Sequence, residues 1–309
     1  MTVNDTQRNL EILWFATIKA ETFQKIVTFF YTIVVILGIP GNSVTIYLLG
    51  ANAKLRKEVE SIANLMLSLA IVDFTTCALM IPMHIFRGII IDFLNYPILC
   101  QTVMSTYIFW AFGATSGCHL TLISIDRYMA VCHPLLHTKY LKSRSLHLIG
   151  IAYFTGFGLS CWWLIFTYHI EEGDCVYYDN FFEDWRQYLG YHNFVIDLCI
   201  PTITMLVLYS TVYYHLYKMA SKGGRGAMKG KKSVIRTAFI TGLTYLICIA
   251  PNKIIWLLHC TGVHILDFEN WPIYATHILV ALNSCCNPMI YASSIHLFKK
   301  ELIKMLKIC

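Results

Sequence analysis

The chain has 309 residues, of which 57% are hydrophobic and only 14% charged. A soluble protein of this length needs more charge to cover its surface, so the balance excludes an ordinary water-facing globule and points to a lipid solvent. The net charge of +6 says little as a total, and its distribution along the chain says more.

In chain order, long apolar runs approach the ~20 residues needed to cross a bilayer. They predict seven membrane helices over 23–49, 61–86, 98–132, 146–169, 190–218, 234–260 and 271–293. Beyond them, Ile295, Leu297, Phe298, Leu302, Ile303 and Leu306 alternate with Lys299, Lys300 and Lys304, the pattern of a short helix lying flat on a membrane surface. The expected fold is an all-α membrane protein, a seven-transmembrane helix bundle with a short C-terminal amphipathic surface helix. Its organisation reads as an extracellular N-terminus over 1–22, a seven-helix membrane domain over 23–293, and a cytoplasmic amphipathic helix and C-terminus over 294–309.

Basic residues orient the bundle. The loops after helices one, three and five and the C-terminal segment hold most of them. The other side holds only Arg8, Lys19, Lys25, Arg87 and Arg186. The first set is therefore expected in the cytoplasm, with the N-terminus outside a plasma membrane crossed several times. The triplet Asn4-Asp5-Thr6 is a glycosylation sequon on that outer side. Residues Met1 to Lys19 lack the apolar core of a signal peptide, so the first membrane helix is expected to direct insertion. The 12 cysteines include no Cys-x-x-Cys pair, and most sit singly in apolar runs as small hydrophobes. No internal repeat is visible, which counts against the duplicated halves common in transporters.

Polar residues within the membrane are costly and usually functional. Helix one carries Gly41-Asn42, and helix two carries Leu69-Ala70-Ile71-Val72-Asp73. Helix three ends in Asp126-Arg127-Tyr128, followed by Cys132-His133-Pro134-Leu135. Helix five has Pro201 and then Tyr209, and helix six has Cys248-Ile249-Ala250-Pro251. Helix seven ends in Asn283-Ser284-Cys285-Cys286-Asn287-Pro288-Met289-Ile290-Tyr291, and Phe298 opens the surface helix. In this ordered set the chain resembles the rhodopsin-like family of G-protein-coupled receptors along all seven helices. Wording around Cys248 to Asn252 and Asn283 to Cys285 is similar to the opsin and melatonin-receptor branch. Two departures stand out. Tyr153 or Phe154 occupies the middle of helix four, and Ile249 precedes Ala250, where the family usually has tryptophans.

The resemblance implies a receptor that performs no bond chemistry. Its implied partners are a heterotrimeric G protein, arrestin, the lipid bilayer and an extracellular small-molecule or short-peptide ligand, with no nucleic acid. Asp126, Arg127, Tyr209, Pro251, Asn287, Pro288 and Tyr291 would form the activation switch. Asp73, with Ser116, Asn283, Ser284 and Asn287, would hold a sodium ion, the one cofactor expected. The alternative is a purely structural hydrogen-bond cluster. Cys100 and Cys175 would form a disulfide, the alternative being two free thiols, and Cys309 is a candidate for palmitoylation. The foot of helix six reads Lys231-Lys232-Ser233, without the acid that often locks the arginine, which predicts a weaker resting lock and some basal activity.

Counting back from these motifs places the ligand pocket. Phe109 stands where amine receptors carry an aspartate, and Ala281 where opsins carry the retinal-binding lysine. Asp197, one turn before Pro201, and Lys253, just after Pro251, are expected to pair, because an uncompensated lysine at that depth is expensive. The pair either clips helices five and six together or receives a charged ligand group. His84, Arg87, His192 and His277 are expected to line the upper pocket alongside Tyr107, Phe109, Asn252 and Trp256, the alternative for each histidine being a satisfied structural role. Two other classes stay open: an opsin-like photoreceptor attached through Lys253, and a transporter. An intramembrane enzyme fits poorly, since Asp73 and Asp126 lie far apart in depth.

Overall fold

The computed structural model describes residues 3–81, 106–141, 143–166, 168–171, 174–177, 185–221, 229–263 and 271–308. The first helix spans Val3–Ala51, the second Ala63–Met80 and the third Tyr107–Cys132. The fourth, Ser145–Ser160, resumes past Cys161 as Trp162–Phe166. The fifth is composite: Arg186–His192, a π-helical stretch Asn193–Cys199, then Ile200–Ser221. The sixth spans Lys229–Cys260 and the seventh Trp271–Ser294. A surface helix, His296–Ile308, leaves the seventh at a bend of 101°.

These helices form a seven-transmembrane bundle. Its outer face is hydrophobic: Phe154 is 83% exposed and Phe29, Ile36, Ile203 and Tyr213 are exposed as well. In water such a surface would be an aggregation liability; in hydrocarbon it is the solvated side. The interior holds both apolar side chains and the polar ones the motifs contribute, among them Asp73, Asp126, Arg127 and Lys253, all buried.

Several features differ from expectation, the fifth and sixth helices also starting earlier, at Arg186 and Lys229. The first helix begins at Val3 rather than 23, because no glycine or proline lies before Gly38 and polar residues alone do not end a helix. The fourth ends at Phe166 rather than 169. There Tyr168–Glu171 (β1) leaves the helical path to pair antiparallel with Asp174–Tyr177 (β2), Tyr168 opposite Tyr177. The fifth carries its π turn immediately before Pro201. Proline has no N–H to give the carbonyl four residues back, so the regular ladder cannot run through this point.

The middle of helix four is also settled. Tyr153 faces inward with its ring edge on His119 at 5.7 Å, while Phe154 faces out. His119 Nδ1 donates to the Thr115 carbonyl at 2.9 Å. In the neutral ring Nε2 then accepts from the Ser68 hydroxyl, also at 2.9 Å. His119 of helix three thus bridges helices two and four, through Ser68 and the ring of Tyr153.

Helices three and four touch backbone to side chain at Gly156. A Cβ there would strike the backbone of Thr115, whereas one at Gly158 would meet nothing within 4 Å. Gly156→Ala is therefore expected to lower stability by about 1–3 kcal/mol through overpacking. Gly158→Ala on the same helix should be neutral or slightly stabilising. Thermal unfolding of the two variants in detergent checks the contrast.

Candidate functional site

Where the regular ladder is interrupted, other helices supply donors. Ahead of Pro201 the π register ties the Ile200 amide to the Val195 carbonyl five residues back, and within this stretch the Asp197 carbonyl accepts the Tyr245 hydroxyl of helix six at 2.6 Å. Pro288 leaves the carbonyl of Ser284 without its usual amide, and that carbonyl accepts Asn42 Nδ2 from helix one at 2.9 Å. A second proton of that amide goes to the Gly38 carbonyl, also at 2.9 Å. Tyr245 is buried against Gly117 of helix three.

One cluster surrounds Lys253. Its Nζ donates to Asp197 Oδ2 at 2.7 Å and to Asn193 Oδ1 at 3.1 Å, and lies 4.9 Å over the Trp110 ring. Lys253 and Asp197 are 7% and 14% exposed at the side chain, so the pair is largely desolvated. Asn193 and Asp197 are four residues apart on the π turn, which brings both to the same lysine. Around them the indoles form a ladder. Trp110 stacks on Trp163 at 5.6 Å, Trp163 on Trp162 at 4.3 Å, and Trp256 leans on Trp163 at 5.4 Å. Phe109 and His277 meet Trp110 edge-on at 5.2 and 5.7 Å. Asn252 instead turns to helix seven, donating to Thr276 Oγ1 at 3.2 Å. Tyr107 turns to helix four, donating to the Phe157 carbonyl at 3.3 Å.

A second cluster lies at mid-depth. Asp73, wholly buried, accepts from Asn287 Nδ2 at 2.7 Å and from Ser116 Oγ at 3.4 Å, with Ser284 buried nearby. Asn283 is buried beside Ser284 in sequence but makes no recorded contact with Asp73. The side-chain oxygens of Asn42, Asn283 and Asn287 are buried without a hydrogen-bond partner. A carboxylate, two hydroxyls and unmatched amide oxygens form the hard donor set that a small cation accepts. No group of three metal-binding His, Cys, Asp or Glu side chains occurs among the described residues.

The third cluster holds Arg127. Its Nη2 lies 2.5 Å from Asp126 Oδ2 and donates to Ser61 Oγ at 2.6 Å. Ser61 in turn donates to Asp126 at 2.8 Å, and His137 Nε2 reaches the other carboxylate oxygen at 3.0 Å. Every member is buried or half-buried. Tyr209 and Tyr291 are buried too, but pack edge-on against Phe239 and Phe298 at 5.9 and 6.1 Å. Pro251 and Pro288 sit inside their helices.

Sequence reasoning had not singled out Asn193, Trp110, Trp162, Trp163, Tyr245, Ser61 or His137. The tandem tryptophans and the i, i+4 spacing of Asn193 and Asp197 are visible signals. Ser61 and His137 carry none. Cys100, Cys309, His84 and Arg87 lie outside the described residues, as do the side chains of Asn4 and Cys175.

Residues 41–291 match the family described as seven transmembrane receptor (rhodopsin family). The chain is similar to the allatostatin-A receptor of Bombyx mori, 26% identical over 88% of this chain and 77% of that one. It is similar to the trace amine-associated receptor 5 of Homo sapiens, 29% identical over 77% and 73%. It is also similar to a QRFP-like peptide receptor of Branchiostoma floridae, 26% identical over 90% and 76%.

Lys253→Met should cost about 3–5 kcal/mol, because it strands the Asp197 charge, and adding Asp197→Leu should recover much of that loss. A double-mutant cycle on unfolding in detergent measures the coupling. Tyr245→Phe should cost about 1–3 kcal/mol by leaving the Asp197 carbonyl unmatched.

Proposed function

Because the chain belongs to the rhodopsin family of seven-transmembrane receptors, we propose that it binds an extracellular ligand and activates heterotrimeric G proteins by a population shift of the helix bundle. Relatives named for peptides and for trace amines support a small-molecule or short-peptide ligand. The carrying observation is the Arg127 cluster. Its arginine is held by Asp126 and Ser61, and no described residue of helix six bonds to it. Among the described residues, helix six therefore makes no ionic tie to Arg127 at that end, which is the end that must open for a G protein to dock.

In this reading the Arg127 end is cytoplasmic and the Lys253 cluster opens outward, with the N-terminus outside and Cys100 bridged to Cys175. Ligand binding biases the fifth and sixth helices, which meet at Lys253–Asp197 and again at Tyr245. The sixth pivots at Pro251, and Arg127 exchanges Asp126 for Tyr209 and Tyr291. No step makes or breaks a covalent bond; differential affinity for two states is sufficient. With Ile249 in place of the usual tryptophan, Tyr245 becomes the contact that reports on the π turn. The carboxylate of Asp73 would hold sodium together with Ser116, Ser284, Asn283 and Asn287, neutralising a charge that has no water to do so. Arrestin would share the docking end.

Reconstituted with heterotrimeric G proteins, the receptor should accelerate nucleotide exchange above the uncatalysed rate without added ligand. Asp126→Asn should raise that rate several-fold and Arg127→Ala should remove it. An uncatalysed rate for all three folded proteins rejects the reading. Sodium chloride should raise the melting temperature of the wild type more than potassium chloride does, and Asp73→Asn should abolish the difference.

A further inference from the structure

The ligand's chemical class can be read from how the Lys253 cluster is closed. Resting on the receptor reading above, the geometry points to a zwitterionic aromatic ligand of the α-amino-acid type. Its carboxylate and ammonium enter between Lys253 and Asp197, and its ring joins the tryptophan ladder.

The first support is charge balance. Lys253 directs its protons at Asp197, Asn193 and the face of Trp110. No donor is left over, so a ligand group that binds either charge has to displace its partner. A simple anion on Lys253 leaves Asp197 buried and unmatched. A simple cation on Asp197 leaves Lys253 in the same state. An uncharged ligand replaces neither. Breaking one half of a desolvated pair is strongly unfavourable, whereas exchanging both halves keeps the charge balanced. The side-chain ends stand 2.7 Å apart, so the two ligand charges must sit on neighbouring atoms. That geometry suits an amino acid and not the distant termini of a peptide.

The second support is the wall. Trp110 and Trp163 lie nearly parallel, 9° apart, and the run of stacked or tilted indoles continues to Trp162 and Trp256. Flat π faces attract both rings and ammonium groups. Phe109 adds an edge rather than an acid, so among the described residues the site offers no second anion to a bare amine. The third support is the position of the pair. It joins helices five and six, and Asp197 sits on the π turn whose carbonyl is tied to Tyr245. A ligand inserted there separates the two helices directly above the contact to the bundle core.

The test uses the purified full-length receptor in nanodiscs, read by direct binding and thermal shift. The probes are L-tryptophan, L-tyrosine and L-phenylalanine. Each is compared with its amine lacking the carboxylate and with its acid lacking the ammonium. At least one zwitterion should bind about tenfold or more tighter than both of its single-charge relatives. The folded neutral pair Asp197→Asn with Lys253→Gln should lose that binding. The swapped pair Asp197→Lys with Lys253→Asp should keep it, since the ligand can turn end for end. Binding by no zwitterion, or equal binding by an amine or an acid, overturns the ligand class. Retention by the neutral pair also overturns it. Nucleotide exchange is measured separately: a receptor that drives exchange yet binds no zwitterion refutes this inference alone, and one that binds the zwitterion without ever driving exchange refutes the receptor reading alone.

Discussion

Within hydrocarbon a polar group has no solvent to fall back on, so each must be matched inside the bundle. The carbonyls of Asp197, in the interrupted ladder before Pro201, and of Ser284, freed by Pro288, make this constraint visible. Each becomes an acceptor pointing away from its own helix, and each is filled from another: by Tyr245 at Asp197 and by Asn42 at Ser284. The prolines therefore do more than bend helices. They expose sockets through which helices five and six, and one and seven, are joined by directional bonds. Apolar packing, being non-directional, would not fix those registers as well.

The same constraint explains how much was legible in the sequence. Seven crossings and the surface helix follow from run length and periodicity. Lys253 and Asp197 could be named together because two isolated charges at similar depth have few other partners. Ser61 and His137 could not. A serine before helix two and a histidine in a loop are ordinary residues until the third helix presents Asp126 to both. Trp110 escaped notice for a related reason. Its neighbour Phe109 occupies the position the family resemblance emphasises, and only the rotation of helix three in the bundle decides which of two adjacent aromatics covers the lysine. The early start of helix one and the end of helix four at β1 were boundary matters, set by what lies beyond the membrane run rather than within it.

The three clusters lie at different depths and are built differently. The Lys253 group is a closed ion pair under an aromatic wall, and the Asp73 group is a carboxylate among amides and hydroxyls. The Arg127 group is a charge pair clamped by a serine and a histidine. Helix seven touches the first through His277 and the second through Asn287. Helix six touches the first through Lys253 and helix five through Tyr245. Helix three contributes to all three, through Trp110, Ser116 and Arg127, so in the proposed reading it links the clusters, with helix seven joining the upper two.

The π turn has a consequence of its own. Such a turn holds one residue more than the α-helix around it, so it works as a local offset between two halves of the fifth helix. Losing one residue there would restore the regular spiral and rotate the segment above it by about 100° relative to the segment below. Asn193 would swing away from Lys253 while Tyr209 kept its place. In the proposed reading the two ends of this receptor are thus indexed separately along a single helix, and the recognition end can be re-aimed by one codon without disturbing the end assigned to the partner inside the cell.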